Sequence, residues 1–332
     1  MAQSSSFVAP ALIKRFSHAA AGHDGVLRDE SGALLIKPCL PKEVAFYESA
    51  AAHPAFAKWM PTFMGTLKLG PPEAPAATTT DAPTSTSTGD APAKKPLETS
   101  IVLSNLTYGF TRPCVLDVKL GAQLWDNEAP LEKRARLDEV ANTTTSRPLG
   151  MRIAGMKVWK GASTSATGSA TSVVKDGYEI YDKNYGRTFT AETALAGFQD
   201  YLFKGELSAE QSKLIAARFA AKVAQILDVL EHQESRMYSA SLLFVYEGDV
   251  DALDQALVIE KQKKPDKGTL AEAEADEEDD DDEEDENAPP PKKVEDLKLI
   301  DFAHASWTPG EGPDLNSIHG VKSVLALLQQ LT

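Results

Sequence analysis

Three observations predict an α+β protein in two lobes. Short apolar runs of strand character crowd the first half of the 332 residues, amphipathic helical periodicity dominates the second, and polar low-complexity stretches interrupt both. Residues 71–96 contain no Leu, Ile, Val or aromatic side chain, residues 161–172 are small and polar, and thirteen of the fifteen residues 272–286 are Asp or Glu. Such segments bury too little apolar surface to offset their ordering entropy. They are expected to be disordered inserts, the last within a longer, largely disordered stretch at 249–293.

The elements follow in chain order. Ala33–Lys37 is an apolar run that Pro38 prevents from continuing as a helix. Pro41 suits a first helical turn and opens a helix over Pro41–Ala52, with Val44, Phe46, Tyr47 and Ala51 as its apolar contacts. Thr99–Leu106, Cys114–Lys119, Met151–Trp159 and Gly177–Ile180 read as strands. Ser208 and Gln211 form a capping-box pattern ahead of Ile215, Phe219, Val223, Ile226, Leu227 and Leu230 at helical spacing. Ser241–Glu247 and Leu297–Phe302 are expected to pair antiparallel across the acidic insert, and Asp314–Leu331 closes the chain as an amphipathic helix.

Composition narrows the function classes. The net charge of −15 falls to −2 without the acidic run 272–286, so the remainder is nearly neutral and lacks the positive excess of a nucleic-acid binder. Between Lys119 and Lys160, however, eight Lys or Arg face five Asp or Glu, which suggests a pocket for a small polyanion or an ordinary mixed surface. Cys39 and Cys114 have neither disulfide-framework nor metal-site spacing and read as reduced core residues. No signal-peptide core and no transmembrane-length apolar run occurs, so a soluble monomer in nucleus and cytoplasm is expected.

Four charged residues lie in apolar strand contexts: Lys37, Asp117, Lys119 and Asp301. Alone, each reads as a strand-edge charge facing water. Together they fit a phosphotransferase, in which a strand Lys holds phosphates and a late strand-end Asp holds Mg²⁺. The P-loop, the HRD motif and GxGxxG are all missing, which excludes P-loop enzymes and ordinary protein kinases.

The stretch PCVLDVKLG at 113–121 matches the PxxxDxKxG signature of the inositol polyphosphate kinase family, which the chain therefore resembles. SLLFVYEG at 241–248, IDFAH at 300–304, LGMRIAGMK at 149–157 and Tyr185-Gly-Arg187 resemble further family landmarks in the expected order. The compact segment 126–149, with EKRAR at 132–136, looks like the multikinase branch and its fungal members.

The resemblance implies a two-lobed fold distantly like protein kinases, with an N-lobe over 1–106 and a C-lobe over 107–332. It implies ATP and Mg²⁺ as cofactors. Lys37 would meet the ATP phosphates with Glu48 as its partner, Ser104 and Leu106 would flank the adenine hinge, and Asp117 would take the ribose or orient the reacting groups. Asp301 would hold the metal, and Lys119 would reach between the inositol ring and the γ-phosphate. Lys133, Arg134, Arg136, Lys157, Lys183 and His304 would bind the inositol polyphosphate, because its many phosphates need several cations. From spacing alone, 133–136 reads sooner as a solvated helix face paired to Glu132 and Asp138, and the resemblance reverses that reading. The implied activity is phosphorylation of inositol tris- and tetrakisphosphates towards the pentakisphosphate, with phosphoinositide headgroups admitted as substrates. The rivals are a hexakisphosphate kinase making pyrophosphates, and an interaction scaffold whose run 272–286 docks basic transcription factors.

Overall fold

The computed structural model describes residues 13–15, 25–68, 99–162, 168–263 and 291–332. The expected inserts at 71–96 and 272–286 lie outside these residues. Two antiparallel sheets organise the chain. The first has the order β1-β2-β3-β5-β4, from Ile13–Arg15, Leu27–Asp29, Leu34–Pro38, Thr99–Ser104 and Phe63–Lys68 respectively. Helix α1 (Pro41–Ser49), a 3₁₀ turn at Ala50–Ala52 and the short α2 (Pro54–Ala57) fill the link from β3 to β4.

The second sheet has six strands in the order β12-β11-β6-β7-β9-β8. They are Glu295–Ile300, Ser241–Glu247, Pro113–Leu120, Met151–Trp159, Tyr178–Tyr181 and Ser172–Lys175. The expected pairing across the acidic insert is present, with Ser241 opposite Ile300 and Phe244 opposite Leu297. Alternation along β6 divides its side chains: Leu116, Val118 and Leu120 enter the main core, whereas Val115 joins Leu106 and Val245 in a small apolar cluster. Asp117 and Lys119 share the parity of Val115, so they lie on the face turned away from the main core.

Helices α6 (Ala194–Phe203), α7 (Ala209–His232) and α9 (Leu315–Gln329) cover the core face. The α7 capping box forms: the Ser208 hydroxyl accepts from Gln211 N–H, and the Gln211 side chain returns to Ser208 N–H. Phe219 of α7 meets Phe244 edge-on at 5.0 Å. Both cysteines are buried and reduced.

The two sheets are joined by an aromatic cluster. Phe46 of α1 stacks on Phe302 at 4.9 Å and on Trp307 at 4.5 Å, and Tyr47 meets Phe302 edge-on. Leu299 N–H also donates to Trp59 O at 2.7 Å. The residue next to Asp301 is thus clamped by the helix that follows Lys37.

The structure trims two expected inserts at their edges. Within 249–293, Val250–Lys263 forms helix α8, started by Asp249, whose carboxylate accepts from Ala252 N–H at 2.9 Å. Ala252, Leu253 and Ala256 bury one face of it, a short apolar stripe masked in sequence by surrounding charge. Within 161–172, Ser172 starts β8 and donates to Glu179 at 3.0 Å. No helix among the described residues is long and apolar enough to cross a membrane.

Candidate active site

Lys37 is the penultimate residue of β3, and β12 delivers Asp301 just past its last residue. Lys37 Nζ lies 2.8 Å from Asp301 Oδ1, and Lys119 Nζ lies 3.7 Å from Asp301 Oδ2. Lys119 also donates to Ser239 O at 2.7 Å. Both Asp301 (φ 68°) and Ser239 (φ 60°) occupy the left-handed region, an uncommon conformation for non-glycine residues that concentrates at functional sites. Gly121, which closes the β6 motif, has φ 101°, and a Cβ there would sit 2.6 Å from Asn316 Nδ2.

Lys37 has a second carboxylate partner: Glu43 Oε1, 2.9 Å away. Burial opposes the lysine's charge, but Asp301 and Glu43 outweigh it and hold the ammonium above the ordinary lysine range. This corrects the assignment of Glu48, which is exposed. The buried residues of α1 are Glu43, Phe46 and Tyr47, continued by Ala50 at i, i+3, i+4 and i+7. Glu43 therefore shares the inward stripe and Glu48 does not.

The expected hinge takes a defined form. Ser104 N–H donates to Thr62 O, and its hydroxyl accepts from Thr62 N–H, each at 2.9 Å. The serine side chain thus pins β4 to β5. The Asn105 amide donates to Gly32 O at 2.7 Å and its carbonyl accepts from Thr107, which shapes the turn between the sheets. Leu106 is buried against Val115 and Val245, with Phe110 and Leu243 alongside. This apolar patch borders the parity face that carries Asp117 and Lys119.

The expected inositol-side cations divide. His304 and Lys133 meet: Lys133 Nζ of α3 (Leu131–Asn142) lies 3.5 Å from His304 Nε2. Arg136 is exposed one turn along from Lys133, the spacing that shares a helix face. Arg134 is occupied elsewhere; it donates to Ala129 O and Asn127 O and stacks over Trp125 at 4.8 Å. Lys157 is buried with its ammonium 3.9 Å over the Tyr178 ring, and burial pushes it down to about 8. Lys183 is exposed at the start of α5 (Lys183–Gly186). Arg134 and Lys183 make no ion pair with Asp301 among the described residues. The alternative ion pairs from α3 to its own Glu132 and Asp138 do not form among the described residues; Asp138 instead accepts from Trp125 and Arg147.

Three residues were missed in the sequence: Glu43, Asp126 and Arg152. Asp126 accepts from His304 Nδ1 at 2.7 Å. Arg152 stands directly opposite Lys119 across β6 and β7, and donates to Ser146 at 3.0 Å. Burial, then Arg187, pushes its guanidinium down to about 10, with Asp117 opposing the shift. Arg152 was legible only as part of the LGMR landmark.

The arrangement fits a divalent cation. No group of three His, Cys, Asp or Glu able to hold a metal exists among the described residues. A hard ion here would use the carboxylate of Asp301 and complete its shell from phosphate oxygens and water, the usual Mg²⁺ pattern. The Ser241 hydroxyl, fully buried opposite Lys119 and without a hydrogen-bond partner among the described residues, adds an oxygen on the same side of the sheet.

A phosphate-handling centre between two antiparallel sheets is the class that this geometry defines. The sequence profile of the inositol polyphosphate kinase family matches residues 100–329. The inositol polyphosphate multikinase of Saccharomyces cerevisiae is 34% identical over 94% of this chain and 97% of its own length. Inositol hexakisphosphate kinase 3 of Mus musculus is 30% identical, over 70% of this chain and 50% of that protein. The crystal structure of the S. cerevisiae inositol phosphate multikinase with ADP and Mn²⁺ superposes with a TM-score of 0.67 at 30% identity, covering 90% of this chain and 99% of the other. The chain belongs to the inositol polyphosphate kinase family.

Proposed function

We propose that the protein is an ATP- and Mg²⁺-dependent inositol polyphosphate multikinase that carries inositol tris- and tetrakisphosphates towards the pentakisphosphate. The observation that supports this most is the convergence of Lys37 and Lys119, from different sheets, on the single carboxylate of Asp301. Length-spanning similarity to a fungal multikinase favours it over the hexakisphosphate kinase reading, for which the matched relative is covered only by half.

Each residue has work that its position suits. The hinge and the apolar cluster of Leu106, Val115 and Val245 beyond it would bind adenine. Lys37, kept charged by Glu43, holds the ATP phosphates. Asp301 would hold the divalent ion, which would supply neutralisation of the charge on the phosphates. Lys119 stands where it stabilises charge on the transferring phosphoryl group, which is most of the catalytic demand in such a reaction. His304, Lys133 and Arg136 bind the acceptor's phosphates, and Arg152 adds a cation beside Lys119. The acceptor hydroxyl attacks the γ-phosphorus in line, the bond to the bridging oxygen of ADP breaks, and the hydroxyl proton leaves to solvent or a nearby base.

Product chromatography after incubation with ATP, Mg²⁺ and each inositol phosphate tests the reading. Tris- and tetrakisphosphates should be consumed and pentakisphosphate should accumulate. Pyrophosphate formation on the hexakisphosphate, with the lower phosphates untouched, would overturn it. Vesicles containing phosphatidylinositol bisphosphate form a further arm for the headgroup substrate.

A further inference from the structure

We propose that Asp126 is a positioning residue that aims the His304 ring at the inositol polyphosphate and ties it to the helix that also holds the nucleotide lysine. The inference rests on the functional reading above.

Asp126 lies between β6 and α3 and is 7% exposed. Its Oδ2 is 2.7 Å from His304 Nδ1, its Oδ1 accepts from Glu128 N–H at 3.1 Å, and Lys42 Nζ stands 3.8 Å from Oδ2. His304 is also fixed through its main chain, because its carbonyl accepts from Tyr238 N–H at 3.2 Å. The other ring nitrogen, Nε2, is the one that faces Lys133 at 3.5 Å.

An ionised carboxylate only accepts hydrogen bonds, so the Nδ1 that faces Asp126 must carry a proton whether the ring is neutral or charged. Burial works to raise the Asp126 carboxyl, but the His304 contact and then Lys42 hold it below the usual carboxylate range, so it remains an acceptor. Nε2 is therefore the atom presented to the acceptor substrate. A neutral ring offers it as a lone pair to a hydroxyl, and a charged ring offers an N–H to a phosphate. Without Asp126 the ring would rotate and exchange tautomers, and neither offer would keep its direction.

The second contact extends the role. Lys42 and Glu43 are consecutive on α1; Glu43 holds Lys37, and Lys42 reaches Asp126. One helix thereby holds the nucleotide-side lysine and places Lys42, shared between Asp126 at 3.8 Å and Glu128 at 3.5 Å, beside the carboxylate behind the acceptor-side histidine. The two halves of the reaction are aligned through it.

A double-mutant cycle on the full chain tests this, using steady-state kinetics with inositol tetrakisphosphate and ATP for Asp126→Asn, His304→Gln and the pair. Asp126→Asn should lower kcat/KM for the inositol phosphate by about 10–100-fold, the range found for residues that orient a functional histidine at metal sites. The KM for ATP should stay within about twofold, and the substitution should add less than about threefold in the His304→Gln background. Multiplicative effects, or an ATP KM rising in step, would overturn the role. Imidazole ¹⁵N spectra of the unmutated chain, assigned by the signal lost in His304→Gln, give a readout that needs no folded Asp126 variant. Protonated Nδ1 supports the proposal, and an Nε2–H neutral tautomer would overturn it. If His304→Gln itself leaves inositol phosphate kinetics unchanged, the histidine's place in the proposed site fails and this inference with it. If His304→Gln matters and Asp126→Asn acts independently, only this inference fails.

Discussion

Lys37 and Lys157 are both withdrawn from water on strands, yet their environments drive them in opposite directions. Lys37 lies between Asp301 and Glu43 and is held charged above the ordinary range. Lys157 lies over the Tyr178 ring, and burial pushes it down to about 8. The difference is which side wins: Asp301 and Glu43 outweigh desolvation at Lys37, whereas burial exceeds the opposing pull of Asp176 at Lys157. A lysine whose charge is maintained by carboxylates in a cleft is already arranged to trade partners with phosphate or a metal. A lysine packed over an aromatic ring is arranged for cohesion. Basic residues close in sequence to the β6 motif therefore do not all belong to the site.

The comparison breaks most severely at Asp301. Asp301→Ala should lower kcat by more than about 10³-fold, since it removes both the proposed metal ligand and the shared partner of Lys37 and Lys119. Circular dichroism should remain native, because the buried Phe302 still anchors the segment. Near-normal turnover in a folded variant would remove Asp301 from the chemistry.

A middle-sized effect separates the two glutamates of α1. Glu43→Ala should cost about 10–100-fold in kcat/KM for ATP, because Lys37 keeps only one of its two carboxylates, while Glu48→Ala should stay within about twofold. Equal losses at both positions would undo the assignment made by the helical stripe.

The smallest effect sharpens the other side. Lys157→Met should leave inositol phosphate kinetics unchanged and stabilise the fold at pH 7. The gain is on the order of 1 kcal/mol once solvent screening and the lost cation–π contact are set against burial. Between about 8 and the ordinary lysine value of 10.5 the unfolded chain holds a proton that the folded chain has released, so stability should rise with pH across that window. Denaturant titrations at pH 7, 8.5 and 10 should show that rise, and Lys157→Met should erase it. A flat unmutated profile would place Lys157 nearer to water.

The sequence by itself determined the α+β class, the strands around the β6 and β12 motifs, and the capped α7. It also singled out Lys37, Asp117, Lys119 and Asp301, because a charge inside a short apolar strand is a local anomaly visible without neighbours. Glu43 was partly legible, since it falls on the same stripe as Phe46 and Tyr47, but only packing against Phe302 shows that this stripe faces inward. The tertiary structure alone decided the rest. Asp126 and His304 stand 178 positions apart, and Arg152 meets Lys119 through a register that shifts between Asp117 and Val118. Lys157, from the same strand as Arg152, was sent to Tyr178 instead. Local pattern reports which side chains a segment offers to each face, and only the pairing of distant segments decides which charges meet and which are left to burial.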